Sequence, residues 1–203
     1  MNKSTIEFCD YTWNPIVGCK FSCGYCYARR FNNRFNKGSD FDTPVFHPNR
    51  LLLPYKVKKP SHIFVGSMCD IFSEGVEHDW IEQILKVVYD NPHHTFQFLS
   101  KVAMYYRRFE FPKNVWLGTS IANGENLPER QRIEELTSCG CGYVTYVLVE
   151  PLLGPMKYID FSPIDYLFVG AMTGPGAIAP KPEWIQSIKH HNITWKNNIK
   201  KYL

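Results

Sequence analysis

Short apolar runs recur along the chain. Each is followed by small or polar residues and then by a segment with helical spacing. The runs are His62–Gly66 (HIFVG), Thr95–Leu99 (TFQFL), Val115–Gly118 (VWLG), Tyr143–Val149 (YVTYVLV) and Tyr166–Gly170 (YLFVG). They are rich in β-branched and aromatic residues and apolar on both faces, which predicts buried parallel strands. Between them, Asp79–Asp90 places Trp80, Ile84, Val87 and Val88 on one helical stripe. Pro128–Thr137 and Pro182–His190 each open with a proline, which suits a first helical turn. A further strand near Trp13–Val17 brings the alternation to about six βα units and predicts an α/β fold. A full eight-unit barrel takes about 250 residues. The 203 residues here predict a smaller, partial (βα)6 barrel of parallel strands with outer helices, with a flat doubly wound sheet as the alternative. No long linker or low-complexity tract interrupts the pattern, so residues 1–203 read as one domain.

Polar and small residues gather directly after the apolar runs. They are Ser67-Met68-Cys69-Asp70, Ser100-Lys101, Thr119-Ser120, Glu150-Pro151 and Ala171-Met172-Thr173-Gly174. In parallel α/β folds the C-terminal ends of strands form the ligand face. The patches are therefore expected to converge on one site. Turn chemistry alone would account for any single patch but less readily for the series. Glu150 and Lys101, each at a strand end, are the candidate catalytic groups.

Composition narrows the class. Hydrophobic residues at 44% and charged residues at 21% fit a globular protein, and the formal charge of +4 permits a phosphate-bearing partner without demanding one. No apolar run approaches the roughly 18 residues of a membrane span. The opening MNKSTIEFCDYTWNP lacks the apolar block of a secretory signal. The chain is expected in the cytoplasm, where thiols stay reduced. Seven cysteines there point to metal binding or chemistry rather than disulfides.

Three of those cysteines stand together. Cys19, Cys23 and Cys26 follow C-x3-C-x2-C spacing in a loop over residues 18–27, with Gly18 and Gly24 giving backbone freedom. Soft thiolates suit zinc or an iron–sulfur cluster. A structural zinc site normally closes with four protein ligands. Three thiolates instead leave one iron of a cluster open, and no fourth ligand is obvious nearby. Both readings, and chance clustering of buried thiols, remain open from spacing alone.

The motif Cys-x3-Cys-x-aromatic-Cys, with Tyr25 as the aromatic, resembles the signature of the radical S-adenosylmethionine superfamily. Along nearly the whole chain there is also resemblance to a narrower family common in bacteriophages and their hosts. The matching stretches are Asp10–Pro15, Gly66–Phe72, His94–Lys101, Asn114–Ser120, Glu150–Pro155 and Gly170–Ala177. The resemblance implies a [4Fe–4S] cluster on Cys19, Cys23 and Cys26, with S-adenosyl-L-methionine chelated at the fourth iron and cleaved to a 5′-deoxyadenosyl radical. It implies Tyr25 beside the adenine, Ser100 and Lys101 near the carboxylate, and Thr119 and Ser120 near the ribose. Gly170 would allow backbone to approach the adenine. Where many members carry Gly-Gly-Glu, this chain has Gly66-Ser67-Met68, so Gly66 and Ser67 become the candidates for the amino group. An electron donor of flavodoxin or ferredoxin type would be needed, in the host cytoplasm if the chain is phage-encoded.

Basic patches bear on the substrate. Arg29, Arg30, Arg34 and Lys37 follow the cysteines. Tyr105-Tyr106-Arg107-Arg108 mixes rings with charge, and the tail carries Lys196, Lys200 and Lys201. Such patches bind nucleic acid backbones and stack bases, although many are solvated helix faces. A DNA, RNA or nucleotide substrate is the resulting expectation. The competing classes are a zinc- or cluster-stabilised nucleic-acid-binding module without catalysis, and a scaffold. Trp13-Asn14-Pro15 would orient the cysteine loop, cover it or simply pack. Cys139 and Cys141 read as incidental thiols or a second metal pair, and the His93-His94 and His190-His191 pairs are not assigned.

Overall fold

The computed structural model describes residues 1–36, 40–139 and 142–203; Lys37 and Cys141 lie outside the described residues. The chain divides into two compact units, Met1–Ser100 with Phe109–Trp116, and Lys101–Arg108 with Leu117–Leu203.

The first unit opens with β1 (Asn2–Lys3), β2 (Tyr11–Trp13) and β3 (Ile16–Val17), followed by α1 (Tyr27–Phe35) and β4 (Val45–Phe46). Then come β5 (His62–Val65), α2 (His78–Asp90) and β6 (Thr95–Ser100). β2, β5 and β6 run parallel, β1 is antiparallel to β2, and β3–β4 form a separate antiparallel ribbon. The strand expected near Trp13–Val17 is thus two pieces. Pro15 has no N–H to give a ladder, so the chain leaves the sheet after Trp13. Register puts Trp13, Val65 and Phe98 side by side on one face, and Thr12, Phe64 and Gln97 on the other. The first face carries an aromatic layer in which Trp13 meets Phe96 and Phe98 meets Phe72 and Phe111. α2 buries Ile84, Val87 and Val88 of the predicted stripe, with Ile81 and Leu85 beside them, while Trp80 stays half-exposed. Its end is held by Asn91 Nδ2 on Val87 O at 2.8 Å, and by Asn114, whose Nδ2 donates to Val88, Asn91 and His94 carbonyls.

The second unit contains a 3-10 turn (Ala103–Arg108) and most of β7 (Val115–Ile121). It continues through α3 (Leu127–Cys139), β8 (Val144–Val149), β9 (Tyr166–Val169), α4 (Pro182–Gln186) and β10 (Ile193–Trp195). β8, β9 and β10 are parallel, and β7 neighbours β8. The α/β alternation of parallel strands and helices expected from the sequence is therefore present. α4 is shorter than expected. The Ser187 hydroxyl turns back to the Trp184 carbonyl at 2.6 Å and accepts the Met156 N–H at 2.7 Å, which ends the helix. Among the described residues no helix is long and apolar enough to cross a membrane.

Candidate functional site

The cysteine loop is shaped by its own flanks. Gly18 has φ of 105°, and a side chain there would run into the Thr43 carbonyl, so only glycine fits. Gly24, expected to share that duty, has an ordinary backbone with open space around it. Cys19 N–H donates to Phe41 O at 2.7 Å and Cys26 N–H to Cys23 O at 3.0 Å. Cys26 caps α1, its sulfur accepting the Arg29 N–H at 3.4 Å. Arg29 Nη2 reaches Cys19 O and Phe21 O, each at 3.2 Å, and Asp42 at 2.8 Å, and the guanidinium lies over Phe41. Arg29 thus fastens the loop and is not a free phosphate contact, a correction to the basic patch.

Cys19, Cys23 and Cys26 are all free and half-buried. Burial pushes the Cys19 thiol up, while N–H groups of Asp70 and Phe21 donate to its sulfur and pull it back toward thiolate. Main-chain donors therefore face two of the three sulfurs, the environment that suits thiolate ligands of a cluster. Nε of Arg29 is buried without a hydrogen-bond partner, and the bond to Asp42 first, with smaller contributions from the charges of Cys26 and Cys19, pushes this guanidinium's pKa up. These residues fit a [4Fe–4S] cluster. Among the described residues no three His, Cys, Asp or Glu side chains form a ready single-ion site; one zinc ion would need each sulfur about 2.3 Å away. Cys69 is buried beside Cys19, and burial first, then the Cys19 and Asp70 charges, push its thiol well up.

Asn14 organises the next layer. Its Oδ1 accepts Ser67 Oγ–H and Met68 N–H, both at 3.1 Å, and Tyr27 O–H donates to Ser67 O at 2.6 Å. Trp13, by contrast, is fully buried and donates its indole N–H to Arg50 O at 2.9 Å, so it packs. Gly66 turns the chain after β5 with φ of 79°, and a side chain would meet Ile71 and Cys69 O. Ser100 donates to Asp70 Oδ1 at 2.8 Å, so Asp70 links the end of β6 to the Cys19 sulfur. Tyr25 is half-buried between Cys23 and Cys26, with its carbonyl on Arg30. A cleft of about 940 Å³ opens beside this layer, lined by Asn14, Ser67, Tyr27, Phe31, Lys3 and Arg50 among others.

In the second unit, Lys101 Nζ donates to Ser120 Oγ at 2.9 Å, and Arg132 holds Ser120 O at 2.9 Å. Thr119 is buried. Glu150 Oε2 pairs with Lys196 Nζ at 2.6 Å, and Oε1 accepts Asn198 Nδ2 at 2.8 Å. Asn198 also bonds Ala171 N and O, each at 3.1 Å. A side chain at Gly170 would strike the Glu150 carboxylate and Asn198, so the glycine makes room for this cluster. Lys196 is only 6% exposed, which removes it from the basic tail. Tyr106 is likewise buried, with O–H on Gly118 O at 2.7 Å. That leaves Tyr105, under Arg108 at 4.2 Å, and Arg107, on Ser138, at the surface.

Sequence reasoning missed Asn198 and Gln97. Gln97 is fully buried and neither side-chain polar atom has a hydrogen-bond partner. A lone glutamine inside the apolar run TFQFL was the available signal. His94 and His190 spend a ring nitrogen on Val57 O and Ile164 O, consistent with leaving them unassigned.

Five solved chains, all of spore photoproduct lyase, resemble this one. The lyase complexed with dinucleoside spore photoproduct gives a TM-score of 0.57 at 11% identity, over 84% of this chain and 58% of the lyase. A doubly substituted lyase with bound AdoMet and dinucleoside spore photoproduct gives 0.56 at 12% identity, over 84% and 58%. A single-serine variant gives 0.55 at 13%, over 74% and 48%. The matched region thus spans between 48% and 58% of the lyase chains, and at this identity the likeness speaks for the fold. That fold is a parallel α/β arrangement. The chain belongs to the family described as Protein of unknown function (DUF5131), which matches residues 3–198. None of the curated proteins matches it.

Proposed function

We propose that this chain is a radical S-adenosylmethionine enzyme that carries a [4Fe–4S] cluster on Cys19, Cys23 and Cys26 and acts on a nucleotide or nucleic acid. The observation that carries the reading is the loop itself: three free, half-buried thiols within eight residues, two with main-chain N–H groups on sulfur. When bound, an open-iron cluster supplies one-electron cleavage of S-adenosylmethionine to a 5′-deoxyadenosyl radical. An electron donor of flavodoxin or ferredoxin type would deliver that electron.

The chain's own residues then orient and shield. Arg29 fixes the loop, and Asp70 ties it to Ser100. Asn14 holds Ser67 and Met68, whose hydroxyl and backbone, with Gly66, are the proposed partners of the methionine amino group. Tyr25 is the proposed neighbour of the adenine. In the second unit Lys101, Thr119, Ser120, Glu150 and Gly170 keep their proposed cofactor or substrate roles. The geometry qualifies two of them: Glu150 is already paired with Lys196, and Lys101 with Ser120. Binding there has to compete with these bonds or use the remaining lone pairs of Glu150 and the remaining N–H donors of Lys101. The bound dinucleoside and AdoMet in the lyase structures of this fold support the substrate class and the cofactor.

The test is anaerobic reconstitution. About four irons and four sulfides per chain are expected for this cluster type. A chain that retains zinc stoichiometrically and takes up no iron overturns the reading.

A further inference from the structure

α1 is inside out. It turns Ala28 and Asn32 inward, while Tyr27, Phe31 and Phe35 stand 51%, 52% and 60% exposed. These three sit at successive i, i+4 positions, about 6 Å apart along the axis, and form one continuous stripe. An ordinary amphipathic helix does the reverse, and a run of exposed rings marks a contact surface. The Phe31 and Phe35 rings are 4.6 Å apart, too close for a planar group to slip between them, so their outer faces are what is offered. Tyr27 fastens the start of the stripe to the Ser67 carbonyl at 2.6 Å, and Arg34 lies over Phe35 at its far end.

Charge decides the occupant. The 940 Å³ cleft includes Tyr27 and Phe31, and its charged side chains are Lys3, Arg50 and Asp40. Asp40 is engaged by the Thr43 hydroxyl and the Asp42 N–H. Arg50 spends one nitrogen on Asn14 O at 2.9 Å, and Lys3 is exposed. α1 adds Arg30 and Arg34 and carries no acid. Rings with a cationic margin match a polyanion with exposed planar faces. A peptide would need no such surplus of positive charge, and a duplex hides its base faces in the stack.

We infer that the Tyr27–Phe31–Phe35 stripe is a stacking platform for single-stranded nucleic acid, leading an unpaired strand along the cleft toward Ser67. This rests on the nucleic-acid reading above and gives it a place and a strandedness. Bases lie on the outer ring faces, and phosphates face Lys3 and Arg50.

The experiment is fluorescence anisotropy with a labelled single-stranded DNA of about twelve nucleotides and with the matching duplex, across a salt series. The parent should prefer the single strand. Phe31→Ala should weaken binding about 5- to 150-fold, the range of one lost base stack, with the salt slope unchanged. Lys3→Ala should instead reduce the log–log salt slope by about 0.7. Both variants should fold and cleave S-adenosylmethionine like the parent, since both side chains line the cleft but neither is among the hydrogen-bond partners of the cysteine loop or of Asn14. If the parent binds the strand and Phe31→Ala with Phe35→Ala binds it equally well, the platform is refuted while the nucleic-acid reading stands. If the parent binds neither single strand nor duplex at low salt, both fall. If the parent self-associates, and the double variant disperses it without changing strand affinity, the stripe is a contact between copies of this chain and the inference is wrong.

Discussion

The cysteine loop and the Glu150 cluster are both polar sites at strand ends, but they are assembled in opposite ways. Cys19, Cys23 and Cys26 lie within eight residues, and the loop's principal clamp, Arg29, comes three residues after the last of them. Glu150 draws its partners, Lys196 and Asn198, from 46 and 48 residues away, across β9, α4 and β10. The first site is written consecutively, and local backbone geometry suffices to form it. The second exists only once three parallel strands have aligned their ends. In both, a cation that resembles a solvated surface charge in the sequence is instead an internal fastener. On the proposed cluster reading the local site should therefore fail by losing its metal, and the assembled site by losing stability.

The largest effects separate the two regions outright. Single replacement of Cys19, Cys23 or Cys26 by alanine should abolish the reconstituted cluster, read as iron and sulfide per chain, whereas Cys139→Ala and Glu150→Leu should leave iron content at the parent level. If Glu150→Leu also lost iron, the two regions would not be independent. Glu150→Leu should show itself elsewhere. It strands the buried Lys196 ammonium, and breaking such a pair costs about 3 kcal/mol. The drop should appear as a lower urea midpoint of the apo chain, and an unchanged midpoint would mean that the pair contributes little.

Smaller effects sharpen the contrast. Arg29→Gln removes charge-assisted bonds to two carbonyls, each worth about 1.5–3 kcal/mol when intact, and the solvent-screened pair with the exposed Asp42, worth about 1 kcal/mol or less. It should speed loss of iron to a chelator, and Arg29→Lys should rescue only in part, because an ammonium cannot reproduce the planar fork. Equal iron retention in all three proteins would refute the clamp. The smallest change expected is Asn14→Ala, which deletes two neutral bonds to Ser67 and Met68 at about 1 kcal/mol each. Cluster content should be unchanged while the concentration of S-adenosylmethionine needed for half-maximal cleavage rises severalfold. A parent-like value would remove Asn14 from the cofactor side of the site.

What the sequence made legible follows the same division. The apolar runs marked β5, β6, β8 and β9 within a residue or two, because a buried parallel strand needs both faces apolar. The thiol spacing drew attention to the loop because its three cysteines lie close together in the chain. The rest depended on partners far away in the chain. β10 is three residues, Ile193–Trp195, and becomes a strand only by lying along β9. Lys196 looked like tail charge until β10 carried it to Glu150. Tyr106 looked like an exposed ring until the 3-10 turn directed its hydroxyl to Gly118 O. Asn14 sat in a recognised stretch, yet its two acceptor bonds cross 53 and 54 residues of sequence.

The central claim is that the three thiolates hold a cluster with one iron left open to S-adenosylmethionine. Its most direct test is the electron paramagnetic resonance spectrum of the reconstituted, reduced protein with and without that cofactor. Chelation at the open iron changes its ligand set, so the signal should shift on addition and 5′-deoxyadenosine should slowly appear. A spectrum that does not change at saturating cofactor would show an iron already closed by a fourth protein ligand, and would contradict the account.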